Sequence, residues 1–460
     1  MKQQNGITLI ALVITIIVLL ILTGFSIGLT INSGLINRTI ATVDKYNDEK
    51  ILELFNLACL EYKVAKEENV DETEEEYLQE SLSKTFGDNV TVTKMGKGYK
   101  FKIGDTNLVY RINAAGKIIK YEEMEPTNVY ARLDDEGILY LRATQIEGYN
   151  LYSSSASIKA DWNSTGTANA TSVTKVIIEE KIAPKKIKNM FYNCSNLNNI
   201  ENIEYFHTEN TTDMSYMFYL CKNLKNIDIS MWDTCKVTNM SGMFNRCRQV
   251  EFLDVDEFNT SNVTNMTGMF VECSNITELD VSAFDTARVT NMSSMFSSCV
   301  GLEKLDVSNF NTSLVTNMTD MFYCCTKLEN LDVSNFNTSR VTNMSKMFNR
   351  CRILTALDVS NFNTSQVTNM STMFYECSKI TQLDVSGFDT TNVTNMSGMF
   401  GACNSLIDLN MSNTFNINKG TNIDNMFDRF NIIKIKAKQN IVNILKNKFT
   451  KLTDNNFIIV

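Results

Sequence analysis

The residues able to do chemistry fall into columns. Nine of the twelve cysteines (Cys194, Cys221, Cys247, Cys273, Cys299, Cys325, Cys351, Cys377 and Cys403) recur once per repeat, and none forms a C-x-x-C metal knuckle. A disulfide needs Cβ atoms about 3.5–4.5 Å apart, so regular cross-linking of strands about 4.8 Å apart would strain the stack. Nine thiols also cannot all pair within one column. They read as small buried apolar groups. Cys235 and Cys324 lie off the column and are the expected reactive thiols. A second column, Asp228, Asp254, Asp280, Asp306, Asp332, Asp358 and Asp384, sets like charges side by side. Solvation makes that tolerable. The alternative is a cation held by Asp254, Asp280, Asp306, Asp332, Asp358 and Asp384 with outward serines. The single His leaves little room for His-based metal sites or triads. No convergent nucleophile and base stand out, so neither an enzyme nor a cofactor is expected.

A third column, Asn239, Asn265, Asn291, Asn317, Asn343, Asn369 and Asn395, reads as an internal amide ladder satisfying turn backbone. Its Asn-x-Ser/Thr sequons are discounted, because a glycan on every turn is implausible. Positions that differ between repeats are the informative ones. Tyr219, Arg246, Arg288, Tyr323, Arg340, Arg350 and Tyr375 make a candidate binding face, since Tyr and Arg are favoured at hot spots. Neutral drift on an exposed surface is the competing reading.

These columns require a repeating scaffold. Met-Phe recurs at Met190, Met217, Met243, Met269, Met295, Met321, Met347, Met373, Met399 and Met426, with a core period of 26 residues. One such unit cannot bury its own apolar side chains, but stacked neighbours can. Leu305 and Val307 should point inward from a short strand while Asp306 and Ser308 point out. Phe310, Val315, Met318, Met321, Phe322 and Cys325 should complete the interior. The Met and Cys totals, 23 and 12, are then explained by packing. Past Met426, Ile433 to Lys436 reads as an edge strand and Ile441 to Phe449 as a helix, together a cap.

Ahead of the array, Ile7 to Leu29 is nearly all apolar and long enough for the ~30 Å hydrocarbon core. Lys2 favours a cytoplasmic N-terminus with the bulk outside. Leu35 to Lys66 reads as an amphipathic helix carrying a buried Cys59. The acidic residues between 67 and 80 read as a solvated helix face or linker. Val90–Val92, Tyr99–Phe101, Leu108–Tyr110 and Ile118–Ile119 read as strands. Pro126 marks a boundary, followed by a hairpin about Asp134–Gly137 and a Ser/Thr/Asn-rich loop holding Trp162.

The expected fold is therefore α+β: an N-terminal transmembrane helix, a small α/β stalk domain, and a leucine-rich-repeat solenoid of about ten 26-residue coils. The expected segments are a leader (1–6), the membrane helix (7–29), an amphipathic helix with acidic linker (30–83) and a small antiparallel sheet (84–125). An N-terminal cap (126–183), the repeats (184–430) and a C-terminal cap (431–460) follow. A net charge of −9 argues against a nucleic-acid partner.

Met1-Lys2-Gln3-Gln4-Asn5-Gly6 followed by Ile7-Thr8-Leu9-Ile10 resembles the leader of type IV prepilins and pseudopilins. That resemblance implies processing between Gly6 and Ile7 and pilus or secretion components as partners. It departs from the pattern at Ala11, where pilins usually carry Glu. Units such as Leu357-Asp358-Val359-Ser360-Asn361-Phe362-Asn363-Thr364-Ser365 with Val367-Thr368-Asn369-Met370 resemble BspA-type leucine-rich-repeat surface proteins of bacteria. This second resemblance covers about residues 128–430. It implies a non-enzymatic, membrane-anchored cell-surface protein that contacts an extracellular protein or glycan. A minor pilin or pseudopilin is the alternative function.

Overall fold

The computed structural model describes residues 53–55, 57–59, 61–62, 73–86, 90–95, 98–104, 108–112, 118–122, 124–151, 170–430 and 434–460. The apolar segment 7–29, the processing pair Gly6 and Ile7, and Trp162 lie outside them. Among the described residues no helix is long and apolar enough to cross a membrane. The chain divides into two compact units, Met1–Asn89 and Val90–Val460.

In the first unit, helical residues between 53 and 62 bury Phe55, Ala58 and Tyr62. Cys59, expected to be buried, is only half-buried, because it sits one residue off the face that Ala58 covers. Helix α1, Glu74–Phe86, holds the acidic residues from Glu74 to Glu80 and extends past them, while residues 67–72 lie outside the described residues. A capping box starts the helix. The Glu76 N–H donates to Thr73 Oγ1 (3.3 Å) and the Thr73 N–H donates to Glu76 Oε2 (3.1 Å). Leu78 and Leu82, four apart, are its buried stripe, so the acidic face is the solvated side of a packed helix.

The second unit opens with an antiparallel meander, β1 (Val90–Met95), β2 (Gly98–Ile103), β3 (Leu108–Ile112) and β4 (Ile118–Glu122). Lys100 on β2 ion-pairs with Asp233 of the repeats at 3.2 Å, with the Asp233 side chain 2 % exposed. The linker after β4 is fastened too. Its Met124 N–H donates to buried Glu209 (2.9 Å), and Asn210 Nδ2 donates to Met124 O (2.7 Å).

The hairpin about Asp134–Gly137 is present as β5 (Tyr130–Leu133) and β6 (Ile138–Arg142). Gly137 has φ +83°, and a Cβ there would lie 2.3 Å from Ser172 O, so the turn requires glycine. β7 (Asn150–Leu151), β8 (Lys175–Ile178) and β9 (Asn199–Glu201) complete a five-stranded sheet, ordered β7-β5-β6-β8-β9. The β6–β8–β9 pairings are parallel, which begins the solenoid's handing of one coil to the next.

The repeats form a β-solenoid of about eleven coils with the 26-residue period. The inward set is as the pattern requires: Leu305, Val307, Phe310, Val315, Met318, Met321, Phe322 and Cys325 are all buried, while Asp306 is exposed. Phe191, Phe218, Phe244, Phe270, Phe296, Phe322, Phe348, Phe374, Phe400 and Phe427 form one continuous stack, with centroids 5.4–6.0 Å apart.

The coils are joined less by strands than by corners. In the central coils the Leu-Asp-Val side forms just the two-residue strands β10 (Glu278–Leu279) and β11 (Lys304–Leu305), with single inter-coil bonds such as Thr355 N–H to Glu329 O elsewhere. The Met-Phe corner bonds in every coil. The N–H groups of Met318, Asp320, Phe322 and Cys324 donate to Asn343, Ser345, Met347 and Asn349 of the next coil at 2.7–3.1 Å. The alternate N–H groups, of Met321, Tyr323 and Cys325, close tight turns onto Met318, Asp320 and Phe322. Packing two turns into this corner needs left-handed residues. The residues before Met-Phe and before the column Cys have positive φ throughout, such as Asp320 (+57°) and Cys324 (+59°). Each non-glycine case costs roughly 1–2 kcal/mol, which the inter-coil bonds must offset.

The C-terminal end departs from the expected cap. β12 (Gln382–Asp384), β13 (Asp408–Met411) and β14 (Lys434–Ala437) pair in parallel, and α2 (Gln439–Lys448) buries Ile441, Val442 and Leu445. The expected edge strand at 433–436 is not the edge. β15 (Phe457–Ile459) pairs outside it, because α2 turns the chain back for one further parallel strand.

Candidate binding surface

The column cysteines are all free and buried. Burial raises their thiols, to about 12 at Cys299, Cys351 and Cys403. The apolar-filler reading is incomplete, however. Each Sγ from Cys221 to Cys403 donates to the Phe carbonyl of the preceding coil, as Cys325 does to Phe296 O at 3.2 Å. That carbonyl already accepts the N–H of its own coil's Cys299. Cysteine is thus small enough for the corner and carries the donor for a second lone pair.

The off-column thiols Cys235 and Cys324 are half-buried. Burial pushes Cys235 up to about 12, reinforced by Asp233, and burial also raises Cys324 against the pull of Arg350 and Arg352. Thiolates are the nucleophiles, so both sites disfavour reactivity.

The Asn column satisfies turn backbone as expected, but it is half-buried rather than internal. Each Oδ1 accepts the N–H two residues on in its own coil, as Asn317 does from Thr319 at 3.0 Å. The column's inter-coil link is backbone bridging. Besides the cysteines, a further side-chain ladder between coils is formed by threonines that sequence reasoning passed over. Thr234, Thr260, Thr286, Thr312, Thr338, Thr364 and Thr390 are buried, and each donates to a carbonyl of the next coil at 2.7–3.1 Å. Their lack of substitution at the 26-residue spacing was the available signal.

The Asp column is outward and self-capped. Asp306 Oδ1 accepts the Ser308 N–H at 2.9 Å, and Asp280, Asp332, Asp358 and Asp384 do the same with their own serines. Asp254 differs, facing the Asp256 N–H at 3.4 Å. Hydrogen bonds from Ser308, Ser334 and Ser360 hold Asp306, Asp332 and Asp358 below the ordinary carboxylate range. Among the described residues no three His, Cys, Asp or Glu side chains converge on a point that could hold a metal ion.

The seven candidate face residues divide between two columns. Arg288 and Arg340 are exposed in the turn before Val-Thr, where Arg288 donates to Asn262 of the preceding coil at 2.9 Å. The others line the Met-Phe corner. Tyr219 stacks on Tyr192 (4.7 Å, 18°), and Tyr216 meets it edge-on at 5.7 Å. Arg246 pairs with Glu272 at 3.0 Å, and Arg248 binds the other oxygen of the same carboxylate. Burial pulls Glu272 up, but the two guanidinium groups outweigh it and hold the carboxyl below its usual range. Arg350 donates to Tyr323 Oη at 3.3 Å and pairs with Glu376 at 3.4 Å, and Arg352 joins Glu376 at 2.8 Å.

These two groups are copies of each other. Tyr219, Arg246, Arg248 and Glu272 are followed by Tyr323, Arg350, Arg352 and Glu376, each 104 residues later. The offset is four coils, and it also relates scaffold departures such as Ile276 to Ile380 and Asp285 to Asp389. Reading at a period of 26 hides this longer period, because the dominant columns are the same in every coil.

Residues 185–279, 247–354 and 328–440 match a family described as Mycoplasma protein of unknown function, DUF285. The chain belongs to that family. Membership and the 26-residue coils together fit a BspA-like repeat protein and are consistent with a surface repeat protein. No curated protein matches the chain.

Proposed function

We propose that this family member is a non-enzymatic cell-surface protein, anchored by residues 7–29 with its N-terminus inside, whose solenoid offers a binding face to an extracellular protein or glycan. The observation that carries this reading is the division of labour within each coil. Inward positions repeat the same residue types, while Tyr, Arg and Glu are placed at chosen corners of the surface. A scaffold built this way varies its contacts without disturbing its core. Protease shaving of intact cells tests it: release of solenoid fragments with a membrane-retained N-terminus supports the reading, and full protection overturns it. The Gly6–Ile7 junction favours a second reading, a minor pilin or pseudopilin acting with pilus or secretion components. The mature N-terminus separates the two, since cleavage after Gly6 with recovery in sheared filaments is expected only for the second.

A further inference from the structure

The two corner groups gather arginines at the same place in coils four apart. In each, two guanidinium groups share one carboxylate, which leaves one net positive charge on a chain of net charge −9. The exposures match closely: 41 % for Arg246, 47 % for Arg248 and 23 % for Glu272, against 40 %, 52 % and 19 % for Arg350, Arg352 and Glu376. Each guanidinium has five N–H donors in a planar fork, and the ion pairs engage only part of that set. The shared carboxylate fixes the forks in place, so an incoming anion meets donors already ordered. Beside each pair of forks stands a half-buried tyrosine, Tyr219 with one face stacked on Tyr192, and Tyr323 with its Oη accepting from Arg350. The coil that follows each Glu carries only small residues at the corner, Ser297–Ser298 and then Gly401–Ala402.

We infer that the two groups are paired subsites for one acidic polysaccharide, with the Arg pairs taking its carboxylate or sulfate groups and the tyrosines flanking its sugars. This deepens the surface-binding reading and rests on it. Four coils at about 4.8 Å each set the subsites about 19 Å apart along the same corner of the array. A polymer repeats its charged unit along its length, so it can meet both subsites with the same chemistry. A compact folded partner gives no reason for two identical contacts at this spacing. Simultaneous engagement makes the second contact intramolecular, which raises avidity by roughly 10²-fold or more.

The test uses the full chain with size-fractionated heparin and hyaluronan oligomers, some too short to span both subsites and some long enough. Variants are Arg246→Gln/Arg248→Gln, Arg350→Gln/Arg352→Gln and the combination, each checked for unchanged melting. Lysine replacements at the same sites keep the charge and lose the fork. The expected result is binding at least tenfold tighter for the long oligomers of one of the two polysaccharides. Either single-patch variant should erase that advantage equally, and the combined variant should lose binding. Three results overturn the inference: no length dependence, binding that depends on one patch alone, or poly-glutamate of matched charge binding as tightly through the same arginines. Failure of every polysaccharide to bind an otherwise surface-exposed protein also overturns it, while the protease-shaving result leaves the surface reading standing.

Discussion

The two sides of a coil solve the same stacking problem differently. On the Leu-Asp-Val side the apolar residues alternate as in a strand, yet Leu331–Val333 and Leu357–Val359 lie outside any strand. On the Met-Phe side no stretch reads as a strand, yet every second N–H reaches the next coil and the phenyl rings stack without a gap. The difference teaches that side-chain alternation does not by itself place the hydrogen bonds. Here a corner of tight turns, with left-handed residues at fixed places, carries the regular ladder.

The largest expected contrast is in core truncation. Phe322→Ala removes a fully buried ring from the stack and should cost about 3–5 kcal/mol. Leu331→Ala, 7 % exposed on the other side, should cost about 2–3 kcal/mol. Denaturant titration of the two variants measures the gap, and equal losses would break the comparison. Next comes Cys325→Ala, which deletes the thiol together with its bond to Phe296 O and should cost about 1–2 kcal/mol. The same buried placement predicts that column thiols stay silent to thiol reagents until the protein unfolds.

A change of opposite sign sharpens the corner's backbone account. Thr372 is β-branched and has φ +50°, at a position that three other coils fill with glycine (Gly242, Gly268 and Gly398). Thr372→Gly should raise stability by about 0.5–1 kcal/mol in thermal unfolding, once the entropy of the added glycine is offset. The smallest effect belongs to the Asp column. Its lowered carboxylates stabilise the fold above their ordinary value of 3.8, and that contribution is lost as pH falls through the lower folded values. The melting temperature should therefore hold from neutral pH to about 5 and decline below 3.8. Asp306→Asn should flatten the decline slightly, because an amide keeps the Ser308 turn without titrating.

The repeat, the inward set and the four strands ahead of it were legible because burial imposes a periodicity that residue types reveal. Phe322 and Met318 needed only apolar spacing to be placed. The thiol donor of Cys325 and the hydroxyl of Thr312 were not legible, since apolar filling and hydrogen bonding leave the same mark on a small buried residue. The left-handed corner was hidden for a different reason. Asp320, Lys346 and Thr372 share a backbone conformation with no residue preference in common, because their inter-coil bonds override local propensity. On the candidate surface, Tyr219, Arg246, Tyr323 and Arg350 were found as variable residues. Glu272 and Glu376 also stand among the variable positions, but Arg248 and Arg352, and which of these variations belong together, emerged only from the contacts.

Native-state hydrogen exchange tests the central claim most directly, since it reads each backbone ladder separately. The amides of Phe296, Phe322 and Phe348, which donate to Met321, Met347 and Met373 of the next coil, should be among the slowest to exchange and should approach the global unfolding limit. Those of Asp332, Val333 and Asp358, outside any strand, should exchange orders of magnitude faster. Protection concentrated on the Leu-Asp-Val side, with fast exchange at the Met-Phe corner, would contradict a solenoid held by its corners.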